Sequence, residues 1–276
     1  VARHTFRPVP GGPSLDLHYE VHGSGPRLLV LSETGGDLRA APRVFDGPLG
    51  GRFEIAAYDQ RGLGQSSVPP GPYAMADYAG DAAALLDGLG WGEALVLGLS
   101  FGGMVAQELA VTHPGRVRRL VLACTSSGGA GGASFPLEDL DALGRDERML
   151  RHVELLDTRH DAAWRAADPG RWDRLQALYR ATSDPDPDDP ASAARREGAR
   201  LQLGARAGHD TWDRLGRITC PTLVAAGRTD GIAPPANARR LAGAIAGAEL
   251  RLFDGGHLFL LQDRTAYPAV IDFLAR

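Results

Sequence analysis

A chain of 276 residues has room for one large α/β domain or two small ones, and its 43% hydrophobic and 23% charged content is ordinary for a globular protein. A net charge of −4 with no basic block argues against nucleic-acid binding. The lack of any run of about 20 apolar residues argues against a membrane span, and two cysteines cannot make a disulfide scaffold or a zinc site.

All 30 basic residues are arginine, which fits a GC-rich coding bias and leaves no lysine for Schiff-base or general-base work. Cys124 and Cys220 adjoin apolar runs and are expected as buried thiols. The first five residues lack the apolar core of a signal peptide, so a cytoplasmic location is expected.

In chain order, Leu15 to Val21 alternates apolar and polar residues and predicts a half-buried antiparallel strand. Leu28 to Leu31 is continuously apolar, as in a strand covered on both faces. Further strands are predicted over 53–58, 94–97, 117–123, 222–226 and 249–253. Helices are predicted over 74–89, ended by Gly90, and 101–113, stopped by Pro114. Two more fall over 235–245 and 267–274. This alternation implies a mostly parallel sheet with helices on both faces.

From about Ser126 to Arg214 the pattern is helical with no convincing strand. The segment opens on a glycine-rich turn at 128–132 and carries an acidic, proline-rich loop at 184–190, read as a solvated connection. Lying between two sheet strands, it is expected to be a lid. Phe135, Met149, Trp164, Trp172 and Tyr179 are candidates to line a substrate pocket there, or else form the lid's own core.

Gly98-Leu99-Ser100-Phe101-Gly102 follows the strand at 94–97 and opens a helix, the setting of a G-x-S-x-G nucleophile turn. A serine hydroxyl needs a base. His257, in a glycine-flanked loop after the last strand, is the candidate. Asp230, just after the strand at 222–226, is the candidate acid that orients it. The order Ser100, Asp230, His257 is the one expected of this architecture. His113 reads as a helix end, and His152, His160 and His209 as positions in the insertion that either are solvated or touch substrate.

With Asp59-Gln60-Arg61-Gly62-Leu63-Gly64-Gln65-Ser66 matching a D-x-R-G-x-G-x-S loop, and Ile218 to Val224 matching the entry to the acid-bearing strand, the chain resembles the α/β-hydrolase fold superfamily, specifically its esterase and 3-oxoadipate enol-lactonase-like members. The resemblance implies an eight-stranded, mostly parallel sheet with a helical lid inserted after the sixth strand. It divides the chain into a core of 1–125 and 215–276 and a lid of 126–214. The D-x-R-G-x-G-x-S loop is expected to support the nucleophile turn.

The resemblance also implies an oxyanion hole made of the backbone N–H groups of Thr34 and Phe101. Where the family often has His-Gly, this chain has Ser32-Glu33-Thr34. Glu33 is either turned away and paired, with Arg39 or Arg61 as partner, or contributes acid–base chemistry in the pocket. The expected reaction is hydrolysis of an ester, lactone or thioester of a small, largely apolar molecule through a Ser100 acyl-enzyme. The alternatives are carbon–carbon bond hydrolysis, acyl transfer to an acceptor other than water, a non-hydrolytic reaction of natural-product biosynthesis that uses Glu33, and a binding module without turnover. No cofactor and no metal is expected. The partner is a small-molecule substrate, and the protein is expected as a monomer or homodimer.

Overall fold

The structure, a computed structural model, describes residues 2–6, 14–183 and 190–276, with side chains described over 14–177 and 193–276. The acidic loop of 184–190 lies outside the described residues except for Pro190, and so does the side chain of Tyr179.

The strands are β1 (Ala2–Phe6), β2 (Leu15–His22), β3 (Arg27–Leu31), β4 (Glu54–Tyr58), β5 (Ala94–Leu99), β6 (Val117–Ala123), β7 (Thr222–Gly227) and β8 (Glu249–Phe253). They form one sheet in the order β1-β2-β4-β3-β5-β6-β7-β8. β2 pairs antiparallel with β1 and β4, and every other pairing is parallel. β1 has no counterpart among the strands read from the sequence.

The pleat sends successive side chains to opposite faces. Leu29, Leu31, Val96, Leu120, Leu122 and Val224 join one core, while Leu28, Val30, Leu95, Leu97, Val121 and Leu223 join the other. Burial on both faces explains why these strands read as unbroken apolar runs.

The first core lies under α1 (Met75–Gly88) and α2 (Phe101–Thr112). Between β6 and β7 come α3 (Arg145–Leu156), α4 (Ala162–Ala167), α5 (Pro169–Ser183) and α6 (Pro190–Ala207). α7 (Pro235–Ala244) follows β7, and α8 (Phe259–Gln262) and α9 (Ala266–Ala275) follow β8. Leu201 and Ala205 of α6 enter the first core beside Tyr73, Tyr78 and Phe101, so the insertion is anchored by shared apolar burial. Among the described residues no helix is long and apolar enough to cross a membrane.

The Asp59–Ser66 loop holds its neighbours through buried polar contacts. Asp59 accepts from the Leu38 N–H at 2.7 Å and the Gln65 N–H at 2.8 Å. Gln60 Nε2 donates to the Ser32 carbonyl at 2.9 Å. These contacts fix the segment around Thr34; the contacts described do not run to the turn at Ser100 itself. Arg61 donates from Nε and Nη2 to Asp81, both at 2.6 Å, within a nearly water-free setting. Replacing Arg61 with methionine is expected to cost about 3–5 kcal/mol in urea unfolding, because it strands a buried carboxylate. An Asp81→Asn change added to it should recover part of that loss.

Candidate active site

Ser100 sits between β5 and α2 with φ 52° and ψ −111°, a left-handed conformation that a side chain adopts only under constraint. Close backbone packing supplies the constraint. A Cβ on Gly98 would stand 2.5 Å from the Gly102 carbonyl oxygen, and one on Gly102 would stand 2.1 Å from that of Leu31. The Ser100 N–H donates to the Ala123 carbonyl at 2.9 Å. The two glycines therefore let helix, strand and neighbouring loop converge where the hydroxyl emerges.

Ser100 Oγ lies 2.9 Å from His257 Nε2, and His257 Nδ1 lies 2.8 Å from Asp230 Oδ2. All three side chains are buried. Asp230 Oδ1 accepts from the N–H groups of Ile232 and Ala233, each at 2.8 Å, which turns Oδ2 toward the imidazole. A carboxylate accepts only, so Nδ1 carries the proton and Nε2 is free to accept from the serine hydroxyl. The arrangement can move a proton from Ser100 to an imidazole whose charged form is held by Asp230.

Phe101 is the first residue of α2, so its N–H has no carbonyl within the helix to serve. The N–H of the neighbouring Gly35 is taken by Gln202 Oε1 of α6 at 2.9 Å, fastening the loop that carries Thr34. The helical insertion thus reaches the loop that carries Thr34, beside the start of α2.

It reaches the loops of Asp230 and His257 as well. The end of α3 supplies the Leu156 carbonyl to the His257 N–H at 2.6 Å and the Leu155 carbonyl to the Gly231 N–H at 2.9 Å. Asp157 accepts from Gln262 Nε2 at 3.0 Å, and Gln262 Oε1 accepts from the Gly256 N–H at 2.7 Å. Burial favours the neutral form of the Asp157 carboxyl, but hydrogen bonds from Arg159 outweigh it and hold the group down at about 2. An unfolded aspartate titrates near 3.9. Stabilisation by Asp157 is therefore complete above that value and lost as pH falls toward 2. The Tm gap between the wild type and Asp157→Asn should be widest above about pH 5 and close progressively below it.

Several expected placements change. Glu33 is exposed, and neither proposed partner is available to it. Arg39 pairs with Asp37 at 2.5 Å, and Arg61 with Asp81. The Glu33 side chain takes no part in the hydrogen bonds of the Ser100–His257–Asp230 relay. The aromatic candidates do not gather in one pocket. Phe135 lines a cavity of about 390 Å³ with Leu140 and Leu150, under the guanidinium of Arg151. Trp164 lines a separate cleft of about 500 Å³ with His160 and Leu261. Trp172 lies under Arg165, and Met149 is buried on α3. Helical spacing sets which face a residue occupies, but the fold of the helices decides which faces meet.

Of the insertion histidines, His209 is buried, while His152 and His160 are half-buried. His160 stacks on Trp164 with centroids 4.3 Å apart. His209 is buried, its Nε2 donating to the Ser126 carbonyl at 3.2 Å. His152 is half-buried; burial, and then the nearby His257, lower it from the ordinary imidazole value. Gln202, Asp157 and Gln262 carried no local motif and were not picked out by sequence reasoning.

The sequence family described as the alpha/beta hydrolase fold matches residues 35–263. A putative carbamate hydrolase RutD of Variovorax paradoxus (strain S110) is 31% identical over 272 residues, covering 95% of this chain and 97% of its own. A poly(3-hydroxyalkanoate) depolymerase of Ectopseudomonas oleovorans is 30% identical over 261 residues, covering 90% and 83%. Among solved structures, the enol-lactonase of Burkholderia xenovorans LB400 superposes with a TM-score of 0.74 at 26% identity, covering 95% of this chain and 97% of that one.

Proposed function

The chain belongs to the α/β-hydrolase fold family, and from that premise we propose that it is a serine hydrolase cleaving an ester, lactone or thioester of a small molecule through a Ser100 acyl-enzyme. The observation that carries this reading is the continuous relay from Ser100 Oγ through His257 to Asp230, with links of 2.9 and 2.8 Å. Its relatives named as an enol-lactonase, a depolymerase and a putative carbamate hydrolase support hydrolysis at a carbonyl carbon.

In the proposed mechanism Ser100 Oγ attacks the carbonyl as its proton passes to His257 Nε2. The tetrahedral oxyanion faces the N–H groups of Thr34 and Phe101. Collapse expels an alcohol or thiol protonated by His257, leaving Ser100 acylated. Water, deprotonated by the same imidazole, then releases the acid and restores the serine. The helices of 126–214 act as a lid that limits water around the acyl-enzyme.

A fluorophosphonate probe tests the reading. Ser100 Oγ should displace fluoride at phosphorus, its proton leaving as HF, and add the probe's mass less that of HF to the peptide that carries Ser100. Labelling that persists undiminished after Ser100→Ala would place the nucleophile elsewhere.

A further inference from the structure

α6 of the insertion packs against the core loops almost backbone to backbone. A Cβ on Gly198 would stand 1.8 Å from the Gly62 carbonyl oxygen, so the helix touches the Asp59–Ser66 loop directly. Leu201 presses on Gly71, where a Cβ would stand 2.3 Å from its Cδ2. Gln202, four residues after Gly198 and so on the same face of the helix, is fully buried, and its Oε1 accepts from the Gly35 N–H at 2.9 Å.

That bond orients the amide. Its oxygen faces the Thr34 loop, which leaves Nε2 as the other arm. Nε2 is buried and has no hydrogen-bond partner among the described residues. A buried donor without an acceptor costs stability. Methionine, of similar length, would bring no such donor to position 202. The Gly35 N–H, on an exposed residue, would then have water to turn to. The fold alone therefore gains nothing from a glutamine here.

What the glutamine holds is a turn. The Gly36 N–H donates to the Glu33 carbonyl at 3.2 Å, closing a turn over Thr34 and Gly35. Gly35, at φ 74°, gives that turn no side-chain stiffness. On one side Gln60 Nε2 donates to the Ser32 carbonyl at 2.9 Å and to the Ser32 hydroxyl at 3.1 Å. On the other side Gln202 takes the Gly35 N–H. Thr34 is thus bracketed by two glutamines, one from a core loop and one from the insertion. The turn begins against α2, since a Cβ on Gly102 would stand 2.6 Å from the Ser32 carbonyl oxygen.

We infer that Gln202 is a positioning residue for the oxyanion hole: by holding the Gly35 N–H it keeps the Thr34 N–H aimed where negative charge develops, so the insertion completes the hydrolytic site as well as covering it. The inference rests on the serine-hydrolase reading, with Thr34 and Phe101 as the backbone donors. It makes a residue with no reach to the substrate a determinant of the chemical step.

Gln202→Met is the test. On para-nitrophenyl butyrate, kcat should fall about ten- to hundredfold, the cost of a donor displaced by about 1 Å. KM should change by less than about twofold, because the lost interaction is made in the transition state. Affinity for an alkyl trifluoromethyl ketone should weaken by the same factor as kcat. Ser100 Oγ adds to the ketone carbon, its proton passes to His257 Nε2, and the carbonyl π pair becomes an alkoxide that needs the same two donors. The Tm of Gln202→Met should equal or exceed that of the wild type.

A kcat within about twofold of the wild type would overturn the inference. So would a loss that accompanies a fall in Tm, which would assign Gln202 to the fold, and a loss confined to KM, which would make it a substrate contact. Each of these strikes the inference alone, with an active wild type. If the wild type turned over no ester and bound no trifluoromethyl ketone, the hydrolase reading would fail and this inference with it.

Discussion

Ser100→Ala is expected to lower kcat on an activated ester by about 10,000- to 1,000,000-fold while leaving KM nearly unchanged. The size follows from the geometry. Ser100 Oγ is the one atom within hydrogen-bond reach of His257 Nε2 that can form the acyl-enzyme, and its removal leaves binding and any oxyanion donors in place. Residual activity should come only from those. The fold should persist, because the left-handed backbone at position 100 is imposed by the packing at Gly98 and Gly102 and not by the hydroxyl. Stopped assays with substrate near saturation, paired with circular dichroism, measure both quantities. A variant that retains full turnover would refute the acyl-enzyme mechanism.

Asp230→Asn should cost about 10,000-fold in kcat, and the reason is a proton in the wrong place. Oδ1 accepts from two backbone N–H groups, Ile232 and Ala233, at 2.8 Å each. An asparagine must put its carbonyl oxygen there, which turns its NH2 toward His257 Nδ1. That nitrogen must then accept, so the proton moves to Nε2, where it can no longer take one from Ser100. Fluorophosphonate labelling should slow in parallel with kcat. A loss smaller than about tenfold would show that the imidazole does not depend on this carboxylate for its tautomer.

Both predictions concern residues visible in the chain itself, yet what surrounds them was not. The insertion read as a lid also braces the site from two directions. α3 ties down the loops of Asp230 and His257 through the Leu155 and Leu156 carbonyls, and α6 ties down the loop of Thr34 through Gln202. Backbone carbonyls carry no sequence signature. A glutamine hydrogen-bonded to a residue 167 positions away is identical in sequence to one on a wet surface.

The amino-acid sequence by itself determined the sheet-forming runs, the glycine-flanked turn that raises Ser100, and the chain order of serine, acid and histidine. Each is a local property. Two-faced burial demands unbroken apolar strands, and a sharp strand-to-helix turn demands glycines within a few residues. Only the tertiary structure decided the long-range pairings. It gave Arg61 to Asp81 and Arg39 to Asp37, leaving Glu33 in solvent. It separated Phe135 from Trp164, and it buried Arg206 with no hydrogen-bond partner for Nε or Nη2. Spacing along a helix fixes a side chain's direction from its own axis. Which charge or cavity stands opposite depends on how distant segments pack.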